Sequence, residues 1–144
     1  RAMPAARVNG SQCPECIETG KSRIEMDYYT AALARWGNAK SGSRIHSAKF
    51  QTHSSWTADI CVDLPSGKRL VIEYDGSYWH RDKADVDRVK SLDLLADGFV
   101  LVRIREVPLP SLNIEHPNYH EITVYPGAQD PVHDVAVIDE TVTS

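Results

Sequence analysis

The sequence predicts an α/β domain: a mixed β-sheet core flanked by helices, in the order α-β-β-α-β-β-α. Two β-rich runs, "SWTADICVDL" (55–64) and "RLVIEYD" (69–75), are separated by Pro65-Ser66-Gly67-Lys68, a hairpin signal. An amphipathic stretch, "DKADVDRVKSLDLLADG", leads into "FVLVRIR" (99–105), a nearly continuous apolar run of the kind found inside a sheet. The chain of 144 residues, without internal repeats, is long enough for one domain with a substantial core.

Each remaining element has a local cause. Ser22 followed by Glu25 forms a capping box that opens a helix running to about Trp36. Residues 37–43 are polar and Gly-containing, the composition of a connection. On the central helix Val86, Val89, Leu92 and Leu95 form the expected buried stripe, and Gly98 closes it as a C-cap. After the "PLP" break, "HEITVY" reads as an edge strand. Asp130-Pro131 then opens a last short helix, with Asp as N-cap and Pro in the first helical position. Residues 1–21 look irregular and stand as a separate segment, leaving 22–144 as the domain.

Composition narrows the setting. Apolar residues make up 42% of the chain without any long apolar run, so no membrane span is expected. No secretory signal is evident, and the chain begins at Arg1, as a fragment with further domains upstream would. Three cysteines make no disulfide framework, which points to a reducing, cytoplasmic environment. Residues 1–105 hold all 16 Lys and Arg against 13 acids, net +3, whereas residues 106–144 carry seven acids and no Lys or Arg. No acid occurs between Asp27 and Asp59, but Arg35, Lys40, Arg44 and Lys49 do, a tract suited to a phosphate backbone. A solvated surface of uneven charge has the same composition.

The hairpin raises a sharper question. Alternation puts Trp56, Ala58, Ile60, Val62 and Leu64 on one face of the first strand, and Leu70, Ile72 and Tyr74 on one face of the second. Joining those apolar faces fixes the register, and Asp59, Glu73 and Asp75 then share the opposite face. A three-residue loop sets Asp59 directly across from Glu73, with Cβ atoms roughly 5 Å apart. Carboxylates that close repel unless a cation stands between them, and Mg²⁺ or Mn²⁺ prefers such oxygen ligands. A solvent-exposed acidic face that binds nothing is the competing interpretation.

These residues resemble a known family. Asp59, a hairpin, Glu73-x-Asp75-Gly76-x-x-Trp79-His80, Asp87-Arg88 on a helix and "GFVLVRIRE" resemble the very-short-patch-repair-like branch of the PD-(D/E)XK nucleases. The resemblance spans roughly residues 22–125 and is most specific between 56 and 106. It implies a restriction-endonuclease-like fold and a Mg²⁺- or Mn²⁺-dependent DNA endonuclease of repair, restriction or mobile-element defence. Asp59 and Glu73 would be metal ligands, His80 would lie near the scissile phosphate, and Glu25 would border the site from the first helix. The family's motif lysine should stand at position 75, where this chain has Asp75. His80, Lys83 or Lys49 would then activate the water. A degenerate, DNA-binding but non-cutting member has the same signature.

Two further expectations complete the reading. Cys13-x-x-Cys16 has the spacing of half a zinc site, to be completed from upstream, as in the treble-clef-like module that commonly precedes nucleases of this branch, or by His46 or His53; a pair of unliganded thiols is the competing interpretation. Tyr78 and Trp79 would contact DNA as a wedge in a base step, although core packing is the ordinary fate of a Trp such as Trp79. Asp87 and Arg88 read as helix-surface or sheet-covering residues. Oligomeric state has no signature in the sequence.

Overall fold

The structure, a computed structural model, describes residues 23–51 and 53–143. Its elements are α1 (Arg23–Trp36), β1 (Lys40–His46), β2 (Ser55–Asp63), β3 (Arg69–Asp75), α2 (Ser77–His80), α3 (Ala84–Ala96), β4 (Val100–Glu106), β5 (Tyr119–Val124) and α4 (Pro131–Thr143). The five strands form one sheet in sequence order. β1, β2 and β3 pair antiparallel, and β3, β4 and β5 pair parallel. The predicted mixed α/β sheet flanked by helices is therefore present, with one strand and one short helix more than expected.

The extra strand, β1, occupies residues expected to be a connection. Lys, Ser and Gly are poor strand formers, and only Ile45 is buried along it. Pairing with β2, from Lys40↔Cys61 to His46↔Ser55, makes it a strand despite its composition.

The hairpin follows the expected register. Leu64 N–H donates to Lys68 O at 2.9 Å, closing a three-residue loop whose Gly67 takes φ +94°. Pairing then runs from Asp63↔Arg69 to Ile60↔Ile72.

Helices cover both faces of the sheet. On one, Tyr28, Ala31 and Ala32 of α1 and Val135 and Ile138 of α4 pack on Ile60, Val62, Leu70, Ile72, Val100, Val102 and Ile104. Tyr28 Oη donates to Asp134 at 2.5 Å and Arg35 Nε to Asp139 at 2.7 Å, joining α1 to α4. On the other face Leu94 and Leu95 of α3 pack on Val71, Phe99 and Leu101. Trp56 and Ala58 belong to this second cluster, whereas Ile60 and Val62 belong to the first. The apolar stripe of β2 thus changes sides of the sheet between Ala58 and Ile60, which a flat alternation does not anticipate.

The buried stripe of α3 also differs from expectation. Leu95 is buried and Val89 packs on the core as expected, but Val86 and Leu92 are 52% and 45% exposed, and the helix also buries Asp87, Ser91, Asp93 and Leu94. Those positions keep helical spacing, but the half nearest the N-terminus is polar because it lies over charged strand residues. At the other end Gly98 takes φ +95° after the helix, as a C-cap requires. The last helix is capped as expected, with His133 N–H donating to Asp130 Oδ1 at 3.2 Å. β5 is an edge strand, also as expected. Among the described residues no helix is long and apolar enough to cross a membrane.

Candidate active site

Where the β2–β3 pairing gives way beyond Ile60↔Ile72, two carboxylates join the strands. Asp59 N–H donates to Glu73 Oε2 at 2.9 Å, and Tyr74 N–H donates to Asp59 Oδ2 at 3.0 Å. Each acid therefore satisfies a main-chain donor of the opposite strand, which explains how both are tolerated at a nearly buried position. Glu73 is 3% exposed and Asp59 half-buried. Burial and then the charge of Glu73 push the Asp59 carboxyl up to about 7, against the pull of the Tyr74 N–H and Lys90; Glu25 adds to the rise. An acid that takes up a proton near neutrality because of burial and a neighbouring carboxylate would gain from a cation at its oxygens.

Part of that positive charge comes from a residue the sequence reading passed over. Lys90, on α3, places Nζ 2.7 Å from Glu73 Oε1 and 2.6 Å from Thr57 O. Its side chain is only 13% exposed. The lysines proposed from sequence as substitutes for the missing motif lysine, Lys49 and Lys83, are both exposed. Lys90 lies three residues after Asp87, on the side of α3 that faces the sheet; the partly misplaced apolar stripe concealed it.

Asp75 lies on the same face as Glu73, and arginines hold both of its oxygens. Its Oδ1 accepts from Arg103 at 2.7 Å and its Oδ2 from Arg105 at 2.7 Å, all three side chains being almost fully buried. The parallel register sets Glu73 beside Arg103 and Asp75 beside Arg105, so acids at i and i+2 on β3 meet arginines at i and i+2 on β4. Two Arg residues in an otherwise apolar strand were the sequence signal for this pairing.

The network extends to α3 and α2. Arg103 also donates to Ser91 Oγ at 2.8 Å and to Asp87 O at 3.2 Å. His80 Nδ1 lies 2.8 Å from Asp87 Oδ2 and 3.6 Å from Asp75 Oδ1. Because a carboxylate only accepts, the ring donates from Nδ1, leaving Nε2 for exchange. Burial alone would lower the His80 pKa, but the Asp87 hydrogen bond and the Asp75 charge outweigh it and raise the value. Asp87 moves the other way: burial works against its ionised form, yet His80 and Arg103 hold its pKa below the ordinary value. Asp87 is thus a buried partner of His80 as well as a residue covering the sheet. Asp75, His80 and Asp87 can bring one ligand atom each within 4.8 Å of one another. Two guanidinium groups already stand among them, with Arg105 3.8 Å from Asp87, so a dication there would face strong repulsion.

The other expected residues fall at several places. Glu25 lies half-buried in the first turn of α1, close enough to raise the pKa of Asp59; its capping partner Ser22 lies outside the described residues, as do Cys13 and Cys16. Arg35 is committed to Asp139 and so fastens two helices instead of forming part of a free basic surface. Lys40 and Arg44 lie on β1 and are exposed. Trp79 is 52% and Tyr78 63% exposed, so core packing does not hold for Trp79. The two rings meet edge to face at 4.9 Å, and the Arg81 guanidinium lies 4.8 Å from the Tyr78 ring centre. Glu106 anchors this short helix to β4, accepting from Ser77 N–H at 2.8 Å and from the Tyr74 hydroxyl.

Comparison with protein-family profiles, curated proteins and solved structures finds no match to this chain.

Proposed function

We propose that the chain is a metal-dependent endodeoxyribonuclease with a restriction-endonuclease-like fold, of the very-short-patch-repair-like branch. The observation that carries this reading is the Asp59–Glu73 pair, inserted between diverging strands, where burial and the neighbouring carboxylate raise the Asp59 pKa. Its donors are hard oxygens: the pair itself, with Glu25 nearby. That set fits Mg²⁺ or Mn²⁺.

In this site Asp59 and Glu73 would hold the ion. Bound there, it supplies an acidified water and neutralises charge on the leaving oxygen. Lys90 fixes Glu73 by its Oε1 and is a nearly buried lysine beside the pair. Asp87 orients His80 through Nδ1, so that Nε2 can give or take a proton at the phosphate. Asp75, paired with Arg103 and Arg105, sets the position of the His80–Asp87 pair. Exposed Tyr78 and Trp79 beside His80 suit contact with the DNA.

One observation favours a second reading, a non-cutting DNA-binding module of the same fold. Lys90 already supplies a counter-charge to Glu73, so the pair has a partner without any metal. Nicking of supercoiled plasmid in Mg²⁺, Mn²⁺ and EDTA, by the wild type and Asp59→Asn, separates the two. Metal-dependent nicking lost in the variant supports the nuclease; equal plasmid integrity in every arm supports the binding module.

A further inference from the structure

Arg35, Lys90, Arg103 and Arg105 are each within 2.7 Å of an acid. Among the described residues Lys40, Arg44 and Arg69 have no such ion pair; neither do Lys49, Lys68, Lys83 and Arg88, but those four do not line the groove described next. Lys40, Arg44 and Arg69 are exposed, and all three line one groove of about 250 Å³ on the β1–β2–β3 ribbon, with His46 and the free Cys61. The groove's acid, Asp63, has its main chain held by the Asn38 side chain, through bonds of 2.9 Å on both sides. Arg69 stacks its guanidinium 4.2 Å over the Phe99 ring, which fixes the group while leaving its N–H donors for a ligand. Arg44 makes one weak bond, to Ser55 Oγ at 3.2 Å.

Register relates this groove to the carboxylate pair. Lys40 pairs with Cys61 and Arg44 with Thr57, the residues two places to either side of Asp59. Between them on β1, beside Asp59, comes Gly42, with φ +68° and no side chain to stand over that carboxylate. Two strand residues span roughly 7 Å, the order of the separation between neighbouring phosphates of one strand. Exposed cations two residues to either side of the half-buried Asp59 match a polyanion lying along the ribbon.

We propose that this groove is a phosphodiester-backbone subsite for duplex DNA, with Lys40, Arg44 and Arg69 holding phosphates that flank the one presented to Asp59. It rests on the nuclease reading for its ligand, but binding can be measured without cleavage. Fluorescence anisotropy of a labelled duplex in EDTA, over a series of salt concentrations, gives the slope of log K against log salt. Each of Lys40→Ala, Arg44→Ala and Arg69→Ala should reduce the magnitude of that slope by about 0.9, one phosphate contact apiece. Lys68→Ala, on the hairpin turn, removes the same charge outside the groove and should leave the slope unchanged. With Mg²⁺, Lys40→Ala should raise KM for plasmid nicking and keep kcat. Slopes equal to wild type in all three groove variants would overturn the subsite even if nicking is observed. Reduced slopes in a protein that never nicks would support the subsite while removing the nuclease reading.

Discussion

Lys90 Nζ lies 2.7 Å from Glu73 Oε1, an ion pair joining α3 to β3, the strand that carries one of the two candidate metal ligands. Both side chains are nearly buried, so the pair acts where water screens little. Removing the ammonium leaves Glu73 facing Asp59 without compensation. Lys90→Met should therefore cost roughly 3 kcal/mol of stability in EDTA, the scale of a broken buried pair. Mg²⁺ should return part of that loss and so raise the melting temperature of the variant more than that of wild type. Equal urea midpoints for the two proteins in EDTA would show that Lys90 is a surface residue in effect.

The Asp75–Arg103–Arg105 cluster makes a separate prediction about folding. Arg103 is fully buried, and Asp75 and Asp87 depend on it for compensation. Arg103→Met should destabilise by about 3–5 kcal/mol. Restoring charge balance in the double variant Arg103→Met, Asp75→Asn should recover more than half of that. A cycle of urea denaturations measures the coupling, and additive losses would contradict a shared network.

His80 links stability and catalysis to pH. Its folded-state pKa is raised, so its ion pairing stabilises fully below the ordinary histidine value, near 6.5, and the benefit is lost as pH climbs through the raised value. The melting-temperature difference between wild type and His80→Gln should thus be larger at pH 6 than at pH 9. In nicking assays the same substitution should slow cleavage by about 10²–10⁴-fold, the usual contribution of a positioned acid or base. A pH-independent stability difference would mean that the ring stays neutral in the fold.

Much of this arrangement was legible in the residues, and its gaps have physical causes. The hairpin register followed from two apolar faces and a turn, and with it the meeting of Asp59 and Glu73. What the shared face could not show for Asp75 was its partners. Sharing a face with Glu73 says nothing about the strand on the other side, and there β4 presents Arg103 and Arg105. "VLVRIRE" looked like a core strand, and it is one, but two of its buried side chains are guanidinium groups held by acids. Trp56 and Ala58 went astray because alternation assumes a flat strand, whereas β2 changes sides between Ala58 and Ile60. Lys90 was missed for a related reason: of the apolar stripe expected on α3, Val89 and Leu95 face the sheet but Val86 and Leu92 do not, and polar positions face inward beside them.

Asp59→Asn should abolish cleavage while making the metal-free protein more stable. The Asp59 carboxyl has its pKa raised from 3.8 to about 7, so the folded state disfavours its charge. Between those values the native state binds the proton more readily than the unfolded chain, and stability declines as pH rises through the window. By pH 8 the full cost is present in wild type, and an amide at position 59 avoids it. The amide keeps an oxygen to accept from Tyr74 N–H, so the strand junction survives. It loses the anionic ligand, which in the nuclease reading removes several kcal/mol of metal assistance, about 10³-fold or more in rate. Asp63→Asn is the control, since Asp63 is exposed near the turn and should change neither property much. Melting curves in EDTA at pH 5 and pH 8, with nicking rates in Mg²⁺, test both halves together. A variant that melts lower than wild type at pH 8 would show the carboxylate to be structural, and one that nicks at the wild-type rate would remove Asp59 from the chemistry.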